Sequence, residues 1–319
     1  MDASFRPLEG LRVLDLSRYL PGPLLTRMLV DMGADVTKVE PPGGEGLKFL
    51  PPLEDKKGVV WSALNVGKRI LELDLKSDEG RAIVWEQIKS AEVIVEGFRP
   101  GVLARLGFGW DAIHAANPAA ILCSISGFGQ TGPLSQRAGH DLNYVARSGV
   151  LDLLAPAGVT PYVPGAQIAD VAGGSLPGAI YVLAALRGVA RTGLGCHIDV
   201  SMTDEVRRLG FFSEAIAKSG HDMRKGLGAI GGDAPCCGVF ATQDGRAIAF
   251  SPLEPEFYEA CCVLVERPDL SGTAYVRGAR AAEVRAAWTE VFASRPLAEW
   301  DALVDGKDVC IEPVRTLAD

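Results

Sequence analysis

Residues 11–40 read LRVLDLSRYLPGPLLTRMLVDMGADVTKVE, and this stretch decides the fold. Leu11 to Ser17 (LRVLDLS) is an apolar run of strand length, Pro23 to Met32 a short helix opened by Pro-Gly-Pro, and Asp35 to Glu40 (DVTKVE) a second strand run. A strand, a helix and a strand in about 30 residues make a βαβ unit, whose two strands pair in parallel. The pattern then repeats. Ile70 to Lys76 (ILELDLK) reads as a strand, Asp78 to Ala91 as a helix capped by Ser77, and Glu92 to Phe98 (EVIVEGF) as another strand. Helical Val102 to Leu106 and the strand run Ala119 to Ser126 (AAILCSIS) follow. Such alternation predicts a parallel sheet covered by helices on both faces.

Farther along come an apolar helix over Val171 to Ala190, a strand His197 to Met202 and a polar-faced helix from Thr203 to about Lys218. Gly226 to Gly232 (GLGAIGG) reads as a linker. The pattern beyond it changes to a hairpin, Gly238 to Thr242 and Arg246 to Ser251 around Asp244-Gly245, then helices from Pro255, Ala279 and Pro296, then a strand near Val309 to Pro313. The expected fold class is therefore α/β: a Rossmann-like large domain with a parallel sheet over residues 1–202, a linker helix and Gly-rich connection over 203–235, and a smaller α+β domain over 236–319.

The length of 319 residues fits about two domains. Forty acids against 32 bases give a net charge of −8, which argues against a nucleic-acid partner or an anionic membrane surface. A local basic pocket for a phosphorylated small ligand remains open. The seven cysteines include the adjacent pairs Cys236-Cys237 and Cys261-Cys262 but no C-x-x-C spacing, as expected of reduced thiols. The four histidines stand at no ligand spacing, so no metal is expected. The opening MDASFRPLEG has no leader pattern, and Val171 to Ala190, with Pro177 and Arg187 inside it, reads as a buried core helix and not a membrane span. The expected compartment is the cytoplasm.

Gly127 to Gly132 (GFGQTG) matches G-x-G-x-x-G after a strand, but Pro133 and LSQRAG follow where a helix would have to open. It reads as a loop, and no nicotinamide cofactor is expected. His140 stands between Gly139 and a helix start, either as a structural residue or as a functional one. Asp170 precedes an apolar helix, where aspartate is a common N-cap; Gly173 and Gly174 in the first turn would let a ligand come close to the backbone. Glu254, before Pro255, reads as a first-turn acid or a supporting carboxylate.

Taken in order, LEGLRVLDLSRYLPGPLLTRMLVDMGADVTKVEPP, GKRILELDLKSDEG, VIVEGFRPGVLARLGFGWDAI, ILCSISGFGQTGP, AGHDLNY, the DVAGG helix and LEPEFY resemble the family III CoA-transferases (CaiB/BaiF), within them the α-methylacyl-CoA racemase branch. The resemblance implies an interlocked homodimer whose site lies between the large domain of one subunit and the small domain of its partner. It implies a catalytic set of Asp170, His140 of the G-H-D motif and Glu254 supporting that histidine, with Asp141 and Tyr144 lining the site. Arg99 in FRPG and Arg105 correspond to the region that contacts CoA phosphates, as do Lys38 and the Lys68-Arg69 pair. Coenzyme A is the carrier part of the substrate, and no redox or metal cofactor is implied. Family members usually continue past the segment matching VCIEPVRTLAD, whereas this sequence ends at Asp319.

Inverting a carbon beside a thioester needs one group to remove the α-proton and a second, on the opposite face, to return one. An imidazole and a carboxyl can exchange those roles. Backbone N–H groups of the helix following Asp170 are candidate donors to the enolate oxygen. The expected function is thus interconversion of (2R)- and (2S)-2-methylacyl-CoA thioesters. The alternative is a CoA-transferase with Asp170 as nucleophile, and the third reading a non-catalytic CoA-binding protein.

Overall fold

The computed structural model describes residues 5–155, 158–220 and 234–319; the expected Gly226 to Gly232 linker lies outside the described residues. The chain divides into two compact units, one comprising the described residues to Leu154 with Pro161–Phe211, the other Ala155–Thr160 with Phe212–Asp319.

The first unit begins with β1 (Arg12–Asp15), α1 (Pro21–Asp31), β2 (Asp35–Glu40), a short hairpin of β3 (Leu53–Glu54) and β4 (Lys57–Gly58), α2 (Val59–Asn65) and β5 (Arg69–Glu72). It continues with α3 (Asp78–Ser90), β6 (Val93–Glu96), α4 (Val102–Arg105), α5 (Trp110–Ala116), β7 (Ile121–Ser126), α6 (Asp141–Ser148) and α7 (Val150–Leu153). A π-helical turn over Ala169–Ser175 then leads directly into α8 (Leu176–Thr192), followed by β8 (His197–Ser201) and α9 (Met202–Arg207).

Six strands pair in parallel in the order β5-β2-β1-β6-β7-β8. The central strands β6 and β7 are buried at every residue, as a parallel strand covered on both faces must be. Alternate side chains feed two cores. Val13, Val93, Val95, Cys123 and Ile125 pack with α1, α6, α8 and α9, whereas Leu14, Leu16, Ile94 and Leu122 pack with α3 and α5. From β1 the chain moves to β2 and β5 on one side, then returns to β6, β7 and β8 on the other. The strand order therefore reverses between β1 and β6, and loops at the carboxyl ends of those strands diverge to leave a crevice.

Three expectations change in detail. The strand expected over Ile70 to Lys76 stops at Glu72, because Ser77 folds back, its hydroxyl donating to the Asp74 carbonyl at 2.8 Å. The helix expected from Thr203 to Lys218 is broken at Arg208–Gly210 by a 3₁₀ turn ending on glycine, a poor helix former. The helix expected to be buried throughout buries only one side: Gly178, Ala179 and Val182 face the core, while Ile180 is 62% exposed. Ala169–Thr192 is long and apolar enough to cross a membrane by length and composition alone.

The second unit holds α10 (Phe211–Lys218) from its second residue on, β9 (Gly238–Ala241), β10 (Ala247–Phe250), α11 (Pro255–Leu264), α12 (Ala279–Phe292), α13 (Leu297–Val304) and β11 (Ile311–Pro313). Its antiparallel sheet runs β11-β10-β9 over a core of Phe250, Tyr258, Trp288, Phe292 and Trp300. Tyr258 keeps its buried hydroxyl satisfied by accepting from Trp288 Nε1 at 2.9 Å.

Candidate active site

A cavity of about 700 Å³ opens where the strand order reverses, at the carboxyl ends of β1, β6 and β7, and its lining belongs wholly to the first unit. Tyr19, Phe98, Arg99, His140, Tyr144 and Asp170 all border it. It brings together five of the residues singled out from sequence: His140 and Asp170 on the wall, Arg99 beside them, Tyr144 beneath and Asp141 bonded behind.

His140 occupies the N-cap of α6 and is exposed, its own N–H donating to Asn143 Oδ1 at 3.0 Å. This bond fixes the backbone from which the imidazole projects. Asp170 does not cap a helix. It lies inside the π-helical turn, a wide winding frequent at functional sites. Asp141 Oδ1 accepts the Asp170 N–H at 2.9 Å, and Ser175 donates to the Asp170 carbonyl at 3.1 Å and to the Pro21 carbonyl at 2.8 Å. Burial raises the Asp170 carboxyl to about 6, the Asp141 charge pushes it the same way, and His140 opposes them.

Gly173 and Gly174 serve packing, not ligand approach. A Cβ at Gly173 would stand 2.6 Å from the Met202 carbonyl oxygen, and one at Gly174 2.8 Å from Pro21 Cβ. The glycines let the turn lie flat against α9 and the start of α1. The Asp170 N–H is engaged by Asp141 and, of the expected enolate donors that follow it, the Val171 N–H by the Gln167 carbonyl at 3.1 Å. Tyr144 packs over Gly127, where a Cβ would come within 2.2 Å of its ring, and its hydroxyl donates to the Gly139 carbonyl. Burial and the Asp170 charge raise the Tyr144 pKa, Arg99 opposing, so the phenol stays protonated.

The basic residues separate into groups. Arg99 lines the cavity; Arg105 is exposed and borders a different hollow with Arg81 and Trp85. Lys38 is fully buried, ion-paired with Glu45 at 3.2 Å and donating to the Ser17 carbonyl at 2.7 Å. Lys68 pairs with buried Asp15 at 3.2 Å and donates to the Pro23 carbonyl at 2.8 Å. Arg69 donates to Thr37 Oγ1 at 2.6 Å. Neither Lys38, Lys68 nor Arg69 lines the cavity. Lys38 instead shapes its edge. Glu45, held by Lys38, accepts the N–H of Tyr19 at 2.8 Å, and Tyr19 takes the left-handed backbone (φ 63°) at the cavity mouth. Glu254 is exposed at the N-cap of α11, in the second unit.

Sequence reading missed Arg18 and Arg137, which also border the cavity. Arg18 stands over the Phe98 ring at 5.9 Å. Its signal was its place just after β1, at the carboxyl end where doubly wound sheets bind ligands. Arginines are suited to phosphate, and a histidine beside a carboxyl poised near neutrality is suited to proton transfer or nucleophilic attack.

Fold and site together define an enzyme of the doubly wound α/β class with a phosphate-compatible crevice. The model of "CoA-transferase family III" matches residues 8–319, and the chain belongs to that family. It is 35% identical over 313 residues to the human alpha-methylacyl-CoA racemase, covering 97% of this chain and 78% of the relative. It is 33% identical over 323 residues to the acetyl-CoA:oxalate CoA-transferase of Acetobacter aceti, covering 98% and 82%. A CAIB/BAIF family protein from Brucella suis superimposes with a TM-score of 0.85 at 28% identity, covering 99% of this chain and 85% of that one.

Proposed function

We propose that the protein interconverts the (2R) and (2S) forms of a 2-methylacyl-CoA thioester by removing and returning the proton at C2. The observation that carries this reading is the pairing of His140 with Asp170 around one cavity, the carboxyl raised to about 6 and thus able to hold or release a proton near neutral pH. His140 takes the proton from one face and Asp170 supplies one to the other; the roles exchange for the opposite enantiomer. Arg99, with Arg18 and Arg137, meets the phosphates of coenzyme A, while Asp141 and Tyr144 position the two reacting groups.

Support for a shared site comes from the family resemblance and from the apolar side chains left bare: Ile180 on α8, and Phe211 and Phe212 at the start of α10, are 62%, 75% and 57% exposed. We propose that these faces are covered in a homodimer and that Glu254 of a partner copy supports His140. Light scattering should then give twice the 33.8 kDa chain mass.

A second reading is favoured by the transferase relatives, which match this chain over as much of its length as the racemases do. In it Asp170 attacks the thioester carbonyl, the CoA thiolate leaves, and the mixed anhydride is then attacked by that thiolate to give an aspartyl-CoA thioester and the free acid. Single variants separate the two. His140→Ala should abolish inversion while leaving at most exchange on one face, and Asp170→Ala should act first on the other enantiomer. A transferase retains a hydroxylamine-sensitive adduct on Asp170 when His140 is removed.

A further inference from the structure

The sheet face that packs on α3 and α5 carries polar side chains at the cavity end of its strands. Glu96 ends β6, Ser124 is its registered neighbour on β7, and Asp199 is the registered neighbour of Ser124 on β8. Glu96 is 3% exposed and Ser124 1%. Burying a carboxyl such as Glu96 beside an apolar core costs stability unless it is hydrogen-bonded, and here buried Glu96 and exposed Asp199 each tie down a loop of the cavity. Glu96 Oε2 accepts the Phe98 N–H at 2.7 Å, which fixes the turn that brings Phe98 and Arg99 to the cavity. Asp199 accepts the Gln130 N–H with both oxygens, at 3.1 and 2.9 Å, and so holds the loop that follows Gly127 and Phe128.

Ser124 links the row. Its hydroxyl sits in register beside Glu96, whose pKa it lowers, and lies 2.9 Å from His197 Nε2, whose ring stacks on Trp110 with centroids 5.8 Å apart. A hydroxyl carries one proton, so the three groups change together. With Glu96 ionised, Ser124 donates to it and accepts from His197 Nε2–H. With a solvent proton on Glu96, Glu96 donates to Ser124, Ser124 donates to Nε2, and the imidazole proton stands on Nδ1.

We propose that Glu96 is a positioning residue whose carboxylate clamps the 97–100 wall in its ligand-holding form, and whose protonation through the Ser124–His197 relay loosens that wall and weakens the grip on the CoA part of the substrate. This rests on the CoA reading above. Burial raises the Glu96 carboxyl to about 7, the bonds from Ser124 and Phe98 pull it down, and Asp199 pushes it up. Burial also lowers the His197 pKa, Asp199 opposing, which keeps the imidazole neutral. Among the described residues the charged or titratable groups around Glu96 are Asp199 and His197 on β8 on the same face, Cys123 on the opposite face of β7, and Arg18 over the Phe98 ring.

The test follows two quantities in the full chain between about pH 5.5 and about pH 8.5: the protection factor of the Phe98 amide without ligand, and the Kd of coenzyme A by calorimetry. The clamp predicts that protection falls and Kd rises, each about fivefold, as the pH drops through about 7. Glu96→Gln keeps a carbonyl oxygen for the Phe98 N–H but cannot ionise, so the Phe98 protection profile becomes flat and the step in Kd at about 7 disappears. Ser124→Ala removes a bond that lowers the Glu96 pKa and moves the midpoint upward. A wild-type protection profile without a step, or a Glu96→Gln profile that still bends, overturns the proposal. Coenzyme A that fails to bind at any pH while Phe98 protection still steps supports the clamp and contradicts the CoA reading instead.

Discussion

Asp141 accepts the backbone N–H of Asp170 at 2.9 Å and at the same time raises the pKa of the Asp170 side chain. One carboxylate thus fixes the position of the second and makes it a better proton carrier at neutral pH. Asp141→Asn keeps an oxygen for the N–H and removes the charge. The Asp170 pKa then falls, and for the enantiomer from which Asp170 takes the proton the acidic limb of kcat/KM, expected near pH 6, moves down by about one pH unit. Since burial is the larger cause and stays, the limb does not return all the way to an ordinary carboxylate. A pH–rate profile of both enzymes checks this; an unmoved limb contradicts it.

Arg99 supplies a guanidinium at the cavity with no carboxylate bonded to it among the described ion pairs. Coenzyme A should raise the Tm of the wild type by mass action. Arg99→Ala removes a charge-assisted phosphate contact of about 1.5–3 kcal/mol, which corresponds to a Kd about 10- to 150-fold weaker and a much smaller Tm shift. Thermal scans at matched ligand concentration check it, and an unchanged shift would take Arg99 out of the site.

Asp15 is wholly buried between Lys68, Thr26 and Ser17. Burial pushes its carboxyl up, but Lys38, Lys68 and the hydroxyl bonds overcome that and hold it at about 2. A depressed folded pKa stabilises the fold above the unfolded value of 3.8 and loses that contribution as the pH falls through about 2. The difference is about 2 kcal/mol. Asp15→Asn leaves the ammonium of Lys68 without its counter-charge and should cost about 3–5 kcal/mol in urea unfolding at pH 7. A loss below about 1 kcal/mol would show that the network is dispensable.

The sheet was legible because its strands are buried on both faces: runs such as VIVE and ILCSIS can be little else. His140 and Asp170 stand near glycines in the sequence, but their catalytic roles are implied only by the family resemblance, and nothing local announces the π-helical turn that holds Asp170. What misled was charge. Lys38 in DVTKVE is placed by the resemblance among the contacts to CoA phosphates, yet its partner Glu45 arrives from a loop seven residues on, and the pair is buried together. Gly173 and Gly174 read as room for a ligand because nothing local announces that Met202 and Pro21 fill that room. Arg18, Tyr19 and Glu96 escaped notice for a related reason: their roles depend on neighbours brought close by the fold, Phe98, Glu45 and Asp199.

In the proposed reaction His140 and Asp170 pass protons to and from C2 of a thioester. It is tested most directly by incubating one enantiomer of a 2-methylacyl-CoA with the enzyme in deuterated water, without any acceptor acid, and following C2 by NMR. The account predicts that deuterium enters C2 while the stereochemistry scrambles, because the returned proton comes from a side chain in exchange with solvent. Transfer of CoA between two carboxylic acids, with C2 unlabelled and its configuration kept, would contradict it.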